Sequence, residues 1–153
     1  MFDHFFNQDT DLIKALTEKT LWKIVKDLKL FIHKMSLGQV HSSTNSNVFI
    51  ENPNLVYIGK NVVIEPYSYI KGPCVIEDGC VIRHGAYLRE NVYLSKNVVI
   101  GHATEIKNSL VMKDSSVAHF AYVGDSIIGS KVNLGAGVRL ANYKLDKSHI
   151  SVL

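Results

Sequence analysis

Residues 58–106 read IGKNVVIEPYSYIKGPCVIEDGCVIRHGAYLRENVYLSKNVVIGHATEI and carry an aliphatic residue at every sixth position. The nine positions in strict step are Ile58, Ile64, Ile70, Ile76, Ile82, Leu88, Leu94, Ile100 and Ile106. With two five-residue steps, the ladder continues through Val111, Val117, Val123, Ile128, Leu134 and Leu140. This period matches neither a helix, at about 3.6 residues, nor a single strand, at about two. It predicts a parallel β-helix, in which short strands stack coil upon coil.

The residues between the aliphatic positions indicate how each coil turns. Two positions before each aliphatic residue the side chain is small or medium-sized, as at Val62, Ser68, Cys74, Cys80, Ala86, Val92, Val98 and Thr104. The position before that favours turn formers, as at Asn61, Pro73, Gly79, Gly85, Asn91 and Asn97. Three such hexads suit a triangular coil of 18 residues, so the fifteen hexads predict about five coils. We therefore expect an all-β domain over residues 48–153.

Residues 9–35 follow a different pattern, with apolar residues every three to five positions and charges between them. This pattern is typical of one or two amphipathic helices, with Asp9 or Thr10 as the first cap. A polar linker follows at 36–47, so residues 1–47 are expected to form a helical N-terminal segment. Trp22 and Phe31 would dock this segment on the first coil and cover the open end of the solenoid. A surface for a protein partner is the alternative.

Composition narrows the functional class. The formal net charge is only +3 and the basic residues are scattered, which gives little support to nucleic-acid binding. No apolar run reaches the roughly 18 residues of a membrane span, so we expect a cytoplasmic protein without a membrane partner. The two cysteines, in a chain without a secretory signal, suggest a reducing compartment. Cys74 and Cys80 both fall on the small inward position, which predicts buried free thiols.

Residues one coil apart are expected to lie above one another, about 4.8 Å apart. This rule places outward side chains in three neighbouring columns. Arg89 and Lys107, 18 residues apart, form the first. The second holds Tyr87, Glu105 and Tyr122, and the third holds His84, His102 and His119, followed by Ala136.

The chemistry of these columns has more than one interpretation. An Arg and a Lys on adjacent coils would clamp a phosphate, but long cations also commonly extend into water. Each histidine is a solvated surface residue, or one of them is a general base beside Glu105, or all three converge on a metal ion. Spacing alone leaves these alternatives open.

The chain resembles a known family over roughly residues 56–143. Its motifs EIK (105–107), AHFAYVGD (118–125), NLGAG (133–137) and ANY (141–143) are similar to EMK, GHLTYLGD, NIGAG and CNY. Those motifs belong to the acetyltransferase domain of bacterial bifunctional N-acetylglucosamine-1-phosphate uridyltransferase. AYLRE (86–90) resembles the ARLRP segment of the same domain. The short hexads fall in corresponding places.

This resemblance implies a left-handed parallel β-helix, an exception to the usual right-handed crossover, and a homotrimer with sites between subunits. It also implies acetyl transfer from acetyl-CoA to the amine of glucosamine 1-phosphate, a step of UDP-N-acetylglucosamine biosynthesis. No metal is expected in such a domain. The small-molecule partner would then be an amino-sugar phosphate.

The resemblance also assigns roles to individual residues. His119 matches the general base, Glu105 matches the acid of the EMK motif, and Arg89 and Lys107 match phosphate ligands. Residues matching the substrate pocket are Tyr122, Asn133, Asn142 and Tyr143. Ala136 falls near the acetyl group of acetyl-CoA. Backbone N–H groups of the 135–137 turn would stabilise the oxyanion formed in the reaction.

The chain departs from the family pattern at several points. Lys144 and Leu145 stand where the family has Asp-Gly, and His102 replaces an asparagine. No glycine-rich nucleotide loop precedes residue 48, so uridyl transfer is not expected. The chain ends at Leu153, where the family continues into coils that bind acetyl-CoA. An acetyltransferase is therefore weighed against a truncated, non-catalytic trimeric module that binds a sugar phosphate or a protein partner.

Overall fold

The computed structural model describes residues 21–44, 46–142, 144, 146 and 148. Within them, one α-helix, α1 (Leu21–His33), precedes a series of short strands and a single 3-10 turn at Pro53–Leu55. The start of the predicted helical segment, including the proposed caps Asp9 and Thr10, lies outside the described residues. The strands form three sheets, and every strand pairing is parallel.

The three sheets are the three sides of a solenoid. Sheet A contains β1 (Gln39–Val40), β3 (Val56–Ile58), β6 (Cys74–Ile76), β9 (Val92–Leu94), β12 (Leu110–Val111) and β15 (Ile127–Ile128). Sheet B contains β2 (Phe49–Glu51), β5 (Tyr69–Lys71), β8 (Tyr87–Leu88), β11 (Glu105–Lys107), β14 (Tyr122–Gly124) and β17 (Arg139–Leu140). Sheet C contains β4 (Val63–Ile64), β7 (Val81–Ile82), β10 (Val99–His102), β13 (Ser116–His119) and β16 (Asn133–Leu134).

The chain passes from sheet A to C to B and then starts the next coil. Ile106 pairs with Leu88, 18 residues earlier, and with Val123, 17 residues later, which confirms the predicted stacking rule. The fold is the predicted left-handed parallel β-helix with a helical N-terminal segment. Sheets A and B are six strands deep rather than about five, because β1 and β2 add a coil before the hexad ladder begins at Ile58.

The aliphatic ladder faces the inside of the solenoid. Its members from Ile58 to Ile128 are buried, while Leu134 and Leu140 on the last coil are partly exposed. The small residues beside them, from Val62 to Thr104, are buried as well. Predicted turn formers at the corners have positive φ, namely Asn61, Gly79, Gly85, Asn91 and Asn97. Asparagine and glycine tolerate this left-handed conformation best, so the repeat encodes both the core and its corners.

Cys74 and Cys80 are buried and unpaired, as predicted. Burial raises the pKa of Cys74 well above its ordinary value and raises the pKa of Cys80 to about 12. A thiol reacts as its thiolate, so both cysteines are inert inside the folded solenoid.

Helix α1 packs along the outside of sheet A. Ile24, Leu28 and Ile32 are buried in a cluster with residues from successive coils, namely Val75, Tyr93, Leu110 and Met112. Burying each such side chain contributes about 1.5–3 kcal/mol towards docking the helix on sheet A.

The docking predicted for Trp22 is wrong, because its side chain is 60% exposed. Phe31 does dock, but on Tyr93 of β9, with ring centroids 6.1 Å apart, and not on the first coil. The helix therefore covers a side of the solenoid, where aliphatic outward residues recur coil after coil. No helix in the described part of the chain is long and apolar enough to cross a membrane.

Candidate active site

Sheet B carries the predicted tyrosine and glutamate column. Tyr87, Glu105 and Tyr122 are paired in register on β8, β11 and β14. The same register continues towards the first coil through Tyr69 and Phe49. Stacking between Phe49 and Tyr69 and an edge contact between Tyr69 and Tyr87 make this a ladder of rings, with centroids 6.4 and 5.5 Å apart.

The cation column lies beside it on the same face. Arg89 N donates to Ile106 O at 2.8 Å, so Arg89 lies one coil below Lys107. Adjacent coils are about 4.8 Å apart, and the predicted backbone register of the two cations is confirmed. Lys71 extends the column by a further coil, because it follows Ile70 as Arg89 follows Leu88.

Carboxylates balance both cations. Arg89 Nη1 donates to Glu105 Oε1 at 3.0 Å, and its Nε lies 4.0 Å from Glu90 Oε2. The hydrogen bond with Glu105 raises the pKa of Arg89 above its ordinary value. Lys107 Nζ donates to Asp125 Oδ2 at 3.2 Å. Stacked like charges therefore do not require a bound anion here, because neighbouring columns supply carboxylates.

The ion pairs continue as a chain towards the first coil. Lys71 Nζ lies 3.0 Å from Glu90 Oε1 and 3.4 Å from Glu51 Oε1. The hydrogen bond with Glu90 raises the pKa of Lys71. The pKa of Glu90 is lowered by its own backbone N–H and then by Lys71. Sheet B thus presents a chain of alternating charges that includes Arg89, while Lys107 on the next coil pairs separately with Asp125.

The third predicted column lies at the corner where sheet C turns into sheet B. Its backbone alignment is confirmed by hydrogen bonds between successive coils: Ala103 N to His84 O (3.3 Å), Phe120 N to His102 O (3.0 Å) and Gly137 N to His119 O (3.1 Å). His84, His102, His119 and Ala136 therefore follow one another along this corner.

The rings at this corner form a row that sequence spacing did not predict. His84 stacks on His102 with centroids 5.3 Å apart, and Tyr67 and Phe120 make edge contacts at either end, at 5.6 and 5.2 Å. Tyr67 and Phe120 have φ of 62° and 49°, a conformation that is costly for bulky residues. Ring contacts of about 0.5–1.5 kcal/mol each offset this cost. On the side of the next coil, the ring that contacts His102 is therefore that of Phe120, while His119 remains exposed.

The hydrogen bonding of His102 bears on the alternative that the three histidines bind a metal ion. His102 Nδ1 lies 2.8 Å from His84 O, so one nitrogen of that ring is already engaged by the backbone. Across the described residues, no group of three or more His, Cys, Asp or Glu side chains is arranged to hold a metal ion.

The 135–137 turn is predicted to offer backbone N–H groups to the oxyanion, and one of these groups is already hydrogen-bonded. Gly137 N donates to His119 O at 3.1 Å, so this N–H is not available for an oxyanion. A Cβ at Gly135 or Gly137 would meet no atom within 4 Å, and the turn is open to solvent. Ala136 lies exposed between them, one coil beyond His119.

The remaining predicted residues are spread over the surface. Asn133 is exposed on sheet C and paired in register with Ser116. Asn142 is exposed just after β17. Tyr143 lies outside the described residues.

Within one chain, the predicted set therefore falls into three groups. Glu105, Arg89, Lys107 and Tyr122 share the outer face of sheet B, and His119 lies at the adjoining corner, three residues before Tyr122. Asn133 is on the other side of that corner. A cavity of about 250 Å³ lies elsewhere, between the end of the helical segment and sheet A, lined by Met35, Tyr57, Val75, Glu77, Asp78 and Lys96.

Two carboxylates of the site were missed by sequence reasoning. Asp125 binds Lys107 and also accepts a hydrogen bond from Asn108 Nδ2 at 2.6 Å. Its position, one residue after Gly124, which is the residue in register with Lys107, was an available signal. Glu90 directly follows Arg89, but adjacent strand residues point to opposite faces unless a corner intervenes. Only the turn after β8 brings Glu90 back towards the cations.

Comparison with known proteins identifies the class to which this solenoid belongs. A family model of the GMPPB C-terminal domain matches residues 70–153. The chain belongs to that family.

Individual relatives confirm the resemblance seen in the motifs. A bifunctional protein GlmU from Ruthia magnifica is 34% identical over 135 residues, which is 84% of this chain and 28% of the relative. GlmU from Heliobacterium modesticaldum is 38% identical over 73% of this chain and 21% of its own length. A bifunctional sugar-1-phosphate nucleotidylyltransferase/acetyltransferase from Sulfurisphaera tokodaii is 44% identical over 46 residues, 30% of this chain and 12% of the relative. The chain thus spans less than a third of the length of these relatives.

Proposed function

We propose that this chain is an acetyltransferase domain that transfers acetyl from acetyl-CoA to the amine of glucosamine 1-phosphate. The observation that carries the proposal is the stacking of Arg89 and Lys107 on sheet B, beside Tyr122 and next to the corner with His119. The names of the relatives support this class of reaction, since one of them is named a bifunctional sugar-1-phosphate nucleotidylyltransferase/acetyltransferase. The proposal concerns acetyl transfer alone.

The phosphate would bind between Arg89 and Lys107. Both cations are held by carboxylates at 3.0 and 3.2 Å, so they are already oriented along the outer face of sheet B. A phosphate dianion forms charge-assisted hydrogen bonds with both cations at once, which neither Glu105 nor Asp125 does in this structure. Binding would therefore exchange two single ion pairs for one shared anion.

His119 would act as the general base. A sugar ammonium must lose a proton before its nitrogen can attack the thioester carbonyl of acetyl-CoA. The exposed imidazole of His119 takes that proton, and the C–N bond forms. The nitrogen then releases its second proton to water, the C–S bond breaks, and His119 passes its proton to the departing thiolate. An imidazole titrates near neutral pH and is suited to both transfers.

Glu105 would support the site by orienting Arg89. Its carboxylate accepts the hydrogen bond from the guanidinium, and this bond is the main cause of the raised pKa of Arg89. When phosphate engages Arg89, Glu105 becomes available to the substrate ammonium. This assigns Glu105 a role in holding charge, beside the proton transfer carried out by His119.

A homotrimer would complete the site. Large apolar side chains are exposed on sheets B and C and at their shared corner, namely Phe49, Val63, Tyr67, Tyr69, Tyr87 and Phe120. An apolar surface of this kind favours association. Asn133 on sheet C lies around the corner from Arg89 and Lys107 in one chain. If sheet C of one copy faced sheet B of the next, these residues would line one pocket.

A non-catalytic module that binds a sugar phosphate or a protein partner is the second candidate. It is favoured by one observation: both cations are neutralised by carboxylates, so the face is stable without a ligand. Exposed aromatic residues would then serve a protein partner.

Release of CoA from acetyl-CoA in the presence of glucosamine 1-phosphate tests the proposal. We expect turnover by the wild-type protein and a loss of about 10²–10⁴-fold in kcat for His119→Ala, because a general base contributes that much. His84→Ala is the matched control, since it removes an imidazole from the same corner two coils away. It should retain activity close to wild type.

The other outcomes separate the two candidates. Full activity in His119→Ala would remove His119 as the base. Binding of glucosamine 1-phosphate without turnover would support the sugar-phosphate module, and a protein that neither binds nor turns over would leave the protein-partner module.

A further inference from the structure

Gly124 is the exception in the cation column of sheet B. Going up the coils, the column contains Glu51, Lys71, Arg89 and Lys107, all of them charged. Gly124 pairs in register with Lys107 and occupies the next place. A glycine at a strand position weakens the strand and often marks the close approach of another group.

The group that approaches Gly124 is the ring of Tyr122. A Cβ placed on Gly124 would lie 2.6 Å from the Tyr122 hydroxyl oxygen, 2.8 Å from Cε1 and 2.9 Å from Cζ. These separations are shorter than real Cβ contacts. The phenol thus leans along its own strand, out of the tyrosine column and over the place that a side chain at position 124 would fill.

This lean brings a third hydrogen-bonding group into the cation column. The Tyr122 hydroxyl lies one coil above Lys107, whose Nζ binds Asp125. Within the described ranges, the hydroxyl of Tyr122 has no hydrogen-bond partner. It therefore offers a donor to a ligand that the two cations hold.

We propose that Gly124 is a positioning residue, whose missing side chain lets the Tyr122 hydroxyl join Arg89 and Lys107 in one three-donor site for a phosphate monoester. This inference rests on the proposed function, because it concerns the same phosphate site. Successive coils are about 4.8 Å apart, so the donors span two coil spacings, and the hydroxyl contacts the phosphate from the side opposite Arg89. Gly124 sets affinity for the sugar phosphate without touching it.

The variant Gly124→Ala tests this arrangement. Gly124 lies in β14 and is not among the residues with positive φ, so alanine fits its backbone. The atoms that the new Cβ meets belong to the movable end of Tyr122, and the ring should swing away while the fold is kept. We expect glucosamine 1-phosphate to bind roughly tenfold more weakly, the usual loss for a hydrogen bond to a charged group. Calorimetric titration measures this, and the thermal midpoint checks the fold.

Tyr122→Phe provides the matched comparison, because it removes the hydroxyl and leaves Gly124 in place. It tests the donor even if Gly124→Ala lowers stability. The double variant should bind no more weakly than Tyr122→Phe alone, since Gly124 acts through the hydroxyl. Glucosamine, which lacks the phosphate, should show no difference between any of these proteins.

The outcomes that overturn the inference are distinct from failure of the proposed function. Wild-type affinity in Gly124→Ala, or a further loss of the same size in the Tyr122→Phe background, removes Gly124 as a positioning residue and leaves acetyl transfer standing. A wild-type protein that binds no glucosamine 1-phosphate overturns both.

Discussion

Sheets A and B are built from the same hexads, yet they meet their surroundings in opposite ways. The outward residues of sheet A, among them Val75, Tyr93 and Leu110, are buried beneath α1. Those of sheet B remain open, with Phe49 57% exposed and Tyr87 37% exposed. Beside these rings runs a chain of ion pairs from Glu51 to Glu105.

The contrast shows that the inward and outward halves of each hexad have separate tasks. Inward positions are aliphatic or small under both faces, because the core has the same shape throughout. Outward positions on sheet A are mainly aliphatic and attract the helix, while those on sheet B carry charge and hydroxyl groups. A face that the described residues leave open, and that concentrates paired charges, is where a polar ligand has room to bind.

The largest expected effect concerns the covered face. Leu28→Ala should lower the free energy of unfolding by about 2–5 kcal/mol, because it opens a cavity between helix and sheet. Leu30, on the same helix, is 63% exposed, so Leu30→Ala should change stability by less than about 0.5 kcal/mol. Urea denaturation measures both. Equal effects would mean that α1 does not pack on sheet A as described.

The second prediction concerns the open face. Lys107→Gln should weaken binding of glucosamine 1-phosphate about 10- to 100-fold, because it removes one of two charged phosphate ligands. Lys71→Gln, two coils lower in the same column, is the matched control and should change affinity less than about twofold. Equal losses in both variants would point to a diffuse electrostatic effect rather than a site.

The third prediction tests the core that lies under both faces. Burial raises the pKa of Cys80 to about 12, whereas an unfolded thiol ionises at about 8.5. As the pH rises, the thiol therefore loses its proton in the unfolded state first. The contribution of Cys80 to the free energy of unfolding is complete below the unfolded pKa and is lost as the pH rises towards the folded pKa. Between these two pKa values, the free energy of unfolding should fall by about 1.4 kcal/mol per pH unit for each buried thiol.

Cys80→Ala should remove one such contribution from the pH dependence between about pH 9 and 11. Denaturation midpoints across that range measure the slope in both proteins. An unchanged slope in the variant would show that the thiol is accessible to solvent in the folded state.

The smallest expected effect concerns the ion pairs of sheet B. The pKa of Glu90 is lowered by its backbone N–H and by Lys71, so its contribution to stability is present above the ordinary carboxyl pKa and lost as the pH falls. Between about pH 5 and 3, Glu90→Gln should lose slightly less stability than the wild type. The effect is small because exposed pairs are screened by solvent. An identical acid dependence in the two proteins would contradict it.

Much of the architecture could be predicted because it follows from local repetition. The six-residue period identified the coil, and the stacking rule, applied to residue numbers alone, placed Tyr87 below Glu105 and Arg89 below Lys107. The shortened hexads even accounted for the change of register before Tyr122. These are arithmetic consequences of a regular backbone.

Other features did not follow from spacing. Phe31 packs on Tyr93, in the middle of sheet A, and not on the first coil. His102 and His119 are aligned in the backbone, but the ring of that next coil that contacts His102 belongs to Phe120. Such choices depend on side-chain torsions and on the corner conformation, and the spacing of residues does not contain them.

The order of residues was therefore sufficient to predict a parallel β-helix and its inward ladder, and to place its outward groups in columns. Folding in three dimensions settled which side α1 covers, which carboxylate neutralises each cation, and that Tyr122 leans over Gly124. The physical reason is that stacking depends on backbone periodicity, which is local and regular. The choice of ion-pair partner and the orientation of a ring such as that of Tyr122 depend on the free volume and the charges around each side chain. These surroundings are set only when all the coils are folded.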